Sequence, residues 1–132
     1  MIERYTNPEM GNIWSDQAKY QTWLDVEIAA CEANCKLGKI PQSAMETIRT
    51  KARFKPERIL EIEEEVRHDV IAFLTNVNEY VGDAGRYIHV GMTSSDVLDT
   101  GLALQLKSSV KLLRKELLLL EEAIRDLARQ HK

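Results

Sequence analysis

Apolar positions recur at three- and four-residue steps through most of the chain, which predicts helices rather than strands. The pattern is strongest toward the carboxyl end. There Leu98, Leu102, Leu106, Val110, Leu113, Leu117, Leu120, Ile124 and Leu127 step by four, then alternately by three and four. Such a stripe is a seam for neighbouring helices. It predicts one helix from Asp96 to about Arg129, roughly 50 Å long and longer than a small domain is wide. Leu112, Leu118 and Leu119 broaden the stripe, so more than one neighbour is expected. No upstream segment is long enough to cover it. Gly101, near its start, is expected to mark the close approach of another helix. The seam therefore calls for later sequence or other subunits, and the 132 residues are expected to be the amino-terminal part of a longer protein.

Upstream, Ser15 is a candidate N-cap for a helix from Asp16 to about Leu37. Tyr20, Trp23, Leu24, Glu27, Ile28, Cys31 and Cys35 fall on one side of it, and Gly38 supplies the left-handed stop. Ile40-Pro41 starts a second helix that runs to about Lys51, with Ala44, Ile48 and Ala52 inward. Phe54-Lys55-Pro56 breaks the period and restarts it. Ile59, Ile62 and Val66 then mark a short helix whose other side carries Glu61, Glu63, Glu64 and Glu65, a solvated acidic face rather than a metal site. Residues 1–14 show no helical period, and Arg4-Tyr5-Thr6-Asn7-Pro8 reads as an extended arm with a turn at Asn-Pro.

Three places carry candidate chemistry. Arg67-His68-Asp69 lies at a helix junction, ahead of Val70, Phe73, Leu74, Val77 and Tyr80 at helical spacing. Asp69 is the expected cap of that helix. A basic pair beside fresh N–H donors suits an oxyanion, and His68 between Arg67 and Asp69 suits proton transfer. A surface junction with a weak local ion pair explains the triplet equally well. The second place is Gly91-Met92-Thr93-Ser94-Ser95-Asp96, which runs into the long helix. Thr93 and Asp96 have capping-box spacing. The hydroxyls, with the free N–H groups of a first turn, can hold a carboxylate or phosphate. Six residues alone favour an ordinary cap, since most caps bind nothing. Gly82-Asp83-Ala84-Gly85 reads as a loop, and Arg86 to Val90 as a short extended piece that delivers His89 close to Thr93. Near the start, the Arg4 guanidinium can fork onto an oxyanion with the Tyr5 phenol as a further donor, although the residues by themselves favour a frayed terminus.

Composition narrows the class. Hydrophobic content of 44% with 30% charged residues suits a folded helical protein, and 6% aromatics argues against a sheet-built core. A net charge of −3 favours neither nucleic acid nor an anionic membrane. The longest unbroken apolar run, Val70 to Leu74, is too short for a bilayer, and Met1-Ile2-Glu3-Arg4 does not open a secretory signal. Cys31 and Cys35 read as reduced, partly buried thiols of a cytoplasmic protein, without the partners a metal would need.

Taken together, Arg4-Tyr5, Arg67-His68-Asp69 and His89-Val90-Gly91-Met92-Thr93-Ser94-Ser95-Asp96 resemble the adenylosuccinate lyase family of the fumarase/aspartase superfamily. The resemblance covers the whole chain but only the amino-terminal part of the family's length. Gly-Met-Thr-Ser-Ser-Asp is its most specific run. Fumarase, aspartase and argininosuccinate lyase tend to have Asn where this chain has Asp96.

The resemblance implies an all-α fold: an amino-terminal helical domain over 1–92, then from 93 to 132 the first long helix of a helix bundle. It implies that Arg4 and Tyr5 contact the nucleotide near its phosphate, and that Arg67, His68 and Asp69 line the substrate pocket. Thr93 and Ser94 would hold a carboxylate of the succinyl group, with His89 in or near the nucleotide site. The implied reaction is β-elimination of fumarate from a succinylated purine nucleotide, without metal or cofactor, in a homotetramer whose sites are shared between chains. The family's later histidine motif and its serine-bearing loop lie outside these residues. His68 is thus expected to support rather than supply the main acid or base, and the 132-residue chain alone is expected to be inactive. Two other readings stand beside this one: another lyase of the superfamily acting on a succinyl or carboxymuconate-type substrate, and a non-catalytic helical interaction module.

Overall fold

The computed structural model describes residues 2–131. Among them are six α-helices and no strand, so the all-α expectation holds. The elements are a 3-10 helix Glu3–Tyr5, α1 Pro8–Ile13, α2 Asp16–Lys36, α3 Gln42–Lys51, α4 Pro56–Val66, α5 Asp69–Val81, a 3-10 helix Gly82–Tyr87 and α6 Ser94–Gln130.

Helix α2 is the hub. Ser15 caps it, its Oγ accepting the Ala18 N–H at 3.1 Å. Gly38, at φ +73°, turns the chain out of it in a conformation that costs other residues more. Tyr20, Trp23, Leu24, Glu27 and Cys31 form its buried side, close to the face its periodicity predicts. The Tyr20 ring stacks on Phe73 at 6.0 Å, and Trp23 meets Phe73 edge-on at 5.6 Å. Burying a side chain of this size contributes about 1.5–3 kcal/mol, so these aromatics anchor α5 to α2.

The smaller helices complete this core. Met45 and Ile48 of α3 are buried, while Ala44 and Ala52 are only half-buried. Pro41 stands at the cap of α3 rather than inside it. In α4, Ile59 and Ile62 face inward, but Val66 in its last turn is exposed. Glu61, Glu64 and Glu65 face solvent as expected. Asn76 is fully buried and satisfied: it accepts the Lys55 N–H at 2.8 Å and donates to Glu79 at 2.9 Å. Arg58 bridges α4 and α5 through Glu61 at 3.0 Å and Glu79 at 2.9 Å.

Three local expectations are corrected. The stretch Arg4–Pro8 is not an extended arm, because Glu3–Tyr5 is a 3-10 helix and Pro8–Ile13 is an α-helix. Asn7 is its N-cap, accepting the Met10 N–H at 3.1 Å, and Pro8 occupies the first turn, so Asn-Pro starts a helix here. The segment Gly82–Tyr87 is a 3-10 helix, not a loop passing into an extended strand. Burial of Ala84, Gly85 and Ile88 against the helices around them winds it tightly. Helix α6 begins at Ser94, two residues ahead of Asp96.

Helix α6 lies antiparallel to α2, since the His89 turn meets Glu27, Gly101 meets Trp23, and Gln105 reaches Ile13. Its buried side is not the leucine seam but Val97, Gly101, Gln105 and Ser109. Gln105 Nε2 donates to the Ile13 carbonyl at 2.8 Å, satisfying one of the free acceptors at the end of α1. Lys115 pairs with Glu9 at 3.5 Å. From Glu116 to Gln130 every residue is exposed. Leu102, Leu106, Val110, Leu113, Leu117, Leu120, Ile124 and Leu127 point away from the rest of the chain, with exposures from 46% at Leu102 to 65% at Leu117.

Candidate functional site

The entrance to α6 is built on a capped helix start. Thr93 is extended, at φ −112° and ψ 162°, and forms a capping box with Asp96. Asp96 Oδ2 accepts the Thr93 N–H at 2.8 Å. The Ser94 and Ser95 N–H groups have no partner among the described residues. Thr93 is exposed and Ser94 half-buried, so two hydroxyls and two N–H donors open to solvent at the positive end of a 37-residue helix. That arrangement can receive an oxyanion.

A buried acid holds the turn ahead of it. Glu27 of α2 is 1% exposed. Its Oε2 accepts the His89 N–H at 3.0 Å, and its Oε1 lies 2.5 Å from His89 Nδ1. His89 itself adopts φ +65°, in the left-handed region that non-glycine residues rarely enter. Burial pushes the Glu27 carboxyl above the usual carboxylate range, and the hydrogen bonds and charge of His89 pull it back. Two residues earlier, the Tyr87 carbonyl accepts from Cys31 Sγ at 3.5 Å. The turn is therefore fastened to α2 at two points. Sequence reading passed over Glu27 as one member of a helix face. The available signal was an acid between Leu24 and Cys31 at an inward position.

The junction between α4 and α5 is built differently. Arg67 is left-handed, at φ +52°, and closes α4, while His68 is extended and becomes the N-cap of α5. Asp69 is not that cap. With a single extended residue between the helices, the cap position falls on His68, and Asp69 enters the first turn, its Oδ1 accepting the Val70 N–H at 2.7 Å. His68 Nδ1 lies 3.4 Å from the Ile71 N–H and 3.5 Å from Asp69 Oδ1. The first contact needs that nitrogen bare and the second needs it protonated, so they are alternatives. Both are long, and the ring is held loosely at the surface. Arg67 pairs with no carboxylate among the described residues, and lines an open cleft of about 510 Å³ with Leu60, Glu63 and Glu64.

Arg4 and Tyr5 are exposed on the 3-10 helix, with the Arg4 guanidinium 4.8 Å from the Tyr5 ring centre. This segment leads into α1, whose Glu9 meets Lys115, roughly 33 Å along the α6 axis from Thr93. His68 likewise stands away from the α6 entrance. Phe73, one turn and a half beyond it, packs at Tyr20 and Trp23, whereas the His89 turn sits against Glu27, farther along α2. Within one chain His89 stands four residues ahead of Thr93, across a turn in which the Met92 N–H donates to the His89 carbonyl at 3.3 Å. Arg67, His68 and Asp69 lie at a second place and Arg4 and Tyr5 at a third.

The chain's relatives agree with this architecture. The family model described as Lyase matches residues 3–132. Adenylosuccinate lyase of Synechocystis sp. is 69% identical over all 132 residues, which make up 31% of that protein. Adenylosuccinate lyase of Aquifex aeolicus is 48% identical, again over 100% of this chain and 31% of that protein. The chain thus spans about a third of the curated relatives it matches. Among solved structures, a 3-carboxy-cis,cis-muconate lactonizing enzyme from Pseudomonas putida superposes with a TM-score of 0.78 at 31% identity, covering 86% of this chain and 27% of that one. Fumarate lyase from Mesorhizobium sp. BNC1 gives 0.73 at 27% identity, over 83% and 26%. Matched almost from end to end, and sharing the helical fold of those enzymes, the chain belongs to the Lyase family.

Proposed function

We propose that this chain forms part of an adenylosuccinate lyase, which splits adenylosuccinate into AMP and fumarate and acts likewise on the succinyl-carboxamide ribotide of purine synthesis. The observation that carries the reading is the capped Thr93–Asp96 entrance of α6, with its hydroxyls at the helix start, in a sequence 69% identical to an adenylosuccinate lyase. Similarity to the muconate enzyme, at 31% identity, supports the shared fold and favours the purine substrate less.

In this reading the hydroxyls of Thr93 and Ser94, with the Ser94 and Ser95 N–H groups, grip a succinyl carboxylate. A base takes the proton from the carbon beside a carboxylate, and the electron pair is held as an aci-carboxylate. The C–N bond then breaks as an acid protonates the leaving nitrogen. Donors set around the carboxylate stabilise the charge it gains. Arg67, His68 and Asp69 line the pocket, with His68 in a supporting role. Arg4 and Tyr5 meet the nucleotide near its phosphate. The main acid and base belong to segments outside residues 1–132, and no metal or cofactor takes part.

The spread of these residues over three places supports a site completed by neighbouring chains of a cytoplasmic homotetramer. The exposed leucine seam of α6 supports the same assembly, with residues 93–132 opening its helix bundle and residues 1–92 forming the amino-terminal helical domain. Among the described residues no helix is long and apolar enough to cross a membrane.

The test is fumarate release from adenylosuccinate by the full-length gene product and by residues 1–132 alone. Turnover by the first and none by the second is expected. A full-length protein that does not cleave adenylosuccinate refutes the assignment. Fumarate release by the short chain at the full-length rate refutes the sharing of the site.

A further inference from the structure

The Glu27–His89 pair has a geometry that a purely structural contact does not require. The two residues are 62 positions apart. A carboxylate removed from water at 1% exposure is costly unless charge and hydrogen bonds compensate it. Both of its oxygens are spent on one residue, one on the backbone N–H and one on the ring. Together they fix the left-handed backbone of His89 and the orientation of its imidazole. Whichever atom carries the shared proton, Nδ1 is committed to Glu27. Nε2 is then the ring's one free nitrogen. It has no partner among the described residues, and it is not among the buried polar atoms left unsatisfied. It therefore reaches solvent, four residues ahead of the Thr93 hydroxyl.

We propose that Glu27 is a positioning residue: by holding His89 through Nδ1 and the backbone N–H, it presents Nε2 to the oxyanion received at the α6 entrance. The carboxylate plays the part that a buried acid plays behind a catalytic histidine, setting tautomer and direction without touching the ligand. This inference rests on the reading of that entrance as an oxyanion site. It adds a residue on a different helix, invisible from the ligand side.

The test is a double-mutant cycle in the full-length protein, with Glu27→Gln, His89→Ala and the pair combined. Glu27→Gln keeps the shape and an acceptor for the His89 N–H, but confronts Nδ1 with an amide. It is expected to lower kcat/KM for adenylosuccinate roughly ten- to a hundredfold, as loss of a charge-assisted hydrogen bond does. In the His89→Ala background the same substitution is expected to change nothing further. The cycle is read a second time as affinity for inorganic phosphate and for fumarate, which separates a phosphate site from a carboxylate site and does not depend on turnover. Circular dichroism and melting temperature identify any variant that fails to fold. His89→Ala and His89→Gln then provide a pair of cycles, so that misfolding of one leaves the other readable. Additive losses in whichever readout the wild type gives overturn the inference, as does a wild type that responds to none of the three ligands. A wild type that binds phosphate or fumarate but does not cleave adenylosuccinate refutes the proposed reaction and leaves the Glu27 cycle decided by binding.

Discussion

Gly101 of α6 lies so close to Trp23 of α2 that a Cβ built on it would stand 2.8 Å from the indole Cδ1 and 3.0 Å from Thr22 Oγ1. Trp23 is buried and locked by Phe73 and Tyr20, so it has little room to retreat. Gly101→Ala gains about 1 kcal/mol of helix propensity, yet overpacking a well-filled contact costs about 1–3 kcal/mol. The expected net result is a destabilisation of up to about 2 kcal/mol, read as a lower denaturant midpoint with an unchanged slope. An unchanged or higher midpoint would mean that α6 can slide away from α2 at little cost.

The capping box supports a prediction about the entrance to α6. Asp96→Ala removes the acceptor of the Thr93 N–H and is expected to cost about 1 kcal/mol. Asp96→Asn retains an acceptor oxygen and is expected to cost less than half as much. Urea denaturation of the three proteins at one pH checks the order, and equal losses for Ala and Asn would show that charge rather than the hydrogen bond matters.

The two thiols are expected to differ in reactivity. Burial pushes the Cys31 thiol up to about 11, from an ordinary value of 9.0, with the Glu27 charge adding to the effect. Cys31 is buried and Cys35 half-buried. At pH 8 a thiol reagent is expected to label Cys35 quickly and Cys31 only after unfolding. The sign for stability follows. The folded state keeps the Cys31 proton over a range in which the unfolded chain loses it, so this contribution is complete below 9.0 and lost as pH rises toward about 11. Comparing wild type with Cys31→Ala across that window isolates the term. Equal labelling rates for both cysteines in the native protein would contradict the assignment.

Much of the fold was legible because its signals are local. Ser15, Gly38, Pro56 and the Thr93–Asp96 spacing each fix a helix end from a few neighbouring residues. Asn7-Pro8 was also a local signal, misread because the pair serves turns and helix starts alike. The errors of consequence were non-local. The leucine seam of α6 is uncovered and Gly101 is a close approach, both as expected, but nothing local named Gln105 and Ser109 as residues turned toward the chain, because Trp23 and the Ile13 carbonyl lie far off in sequence. Glu27 gave no clue to its role, because its partner lies 62 residues on and at a backbone angle no propensity anticipates. The candidate site residues could be named one by one, but their distances from one another could not, since those depend on how α2 aligns the other helices.

The leucine side of α6 yields a prediction about assembly. Leu113, Leu117, Leu120 and Ile124 are each more than half exposed, a contiguous apolar strip of the kind that associates in water. The full-length protein is expected to be oligomeric by size-exclusion chromatography with light scattering. Leu117→Glu with Leu120→Glu is expected to shift it to smaller species without changing its helical content. A wild type that remains monomeric at high concentration would show that later segments of the same chain cover the strip.

Helix α6 turns one side to its own chain through Val97, Gly101, Gln105 and Ser109, and keeps its leucines on another. In the proposed assembly, folding and quaternary structure draw on separate sides of a single rod. Damage to one can be inherited without damage to the other. A protomer can remain sound while its company is lost, and an assembly can bring together weakened protomers, which gives a mutant with correct subunits and no activity a physical origin far from any reacting atom.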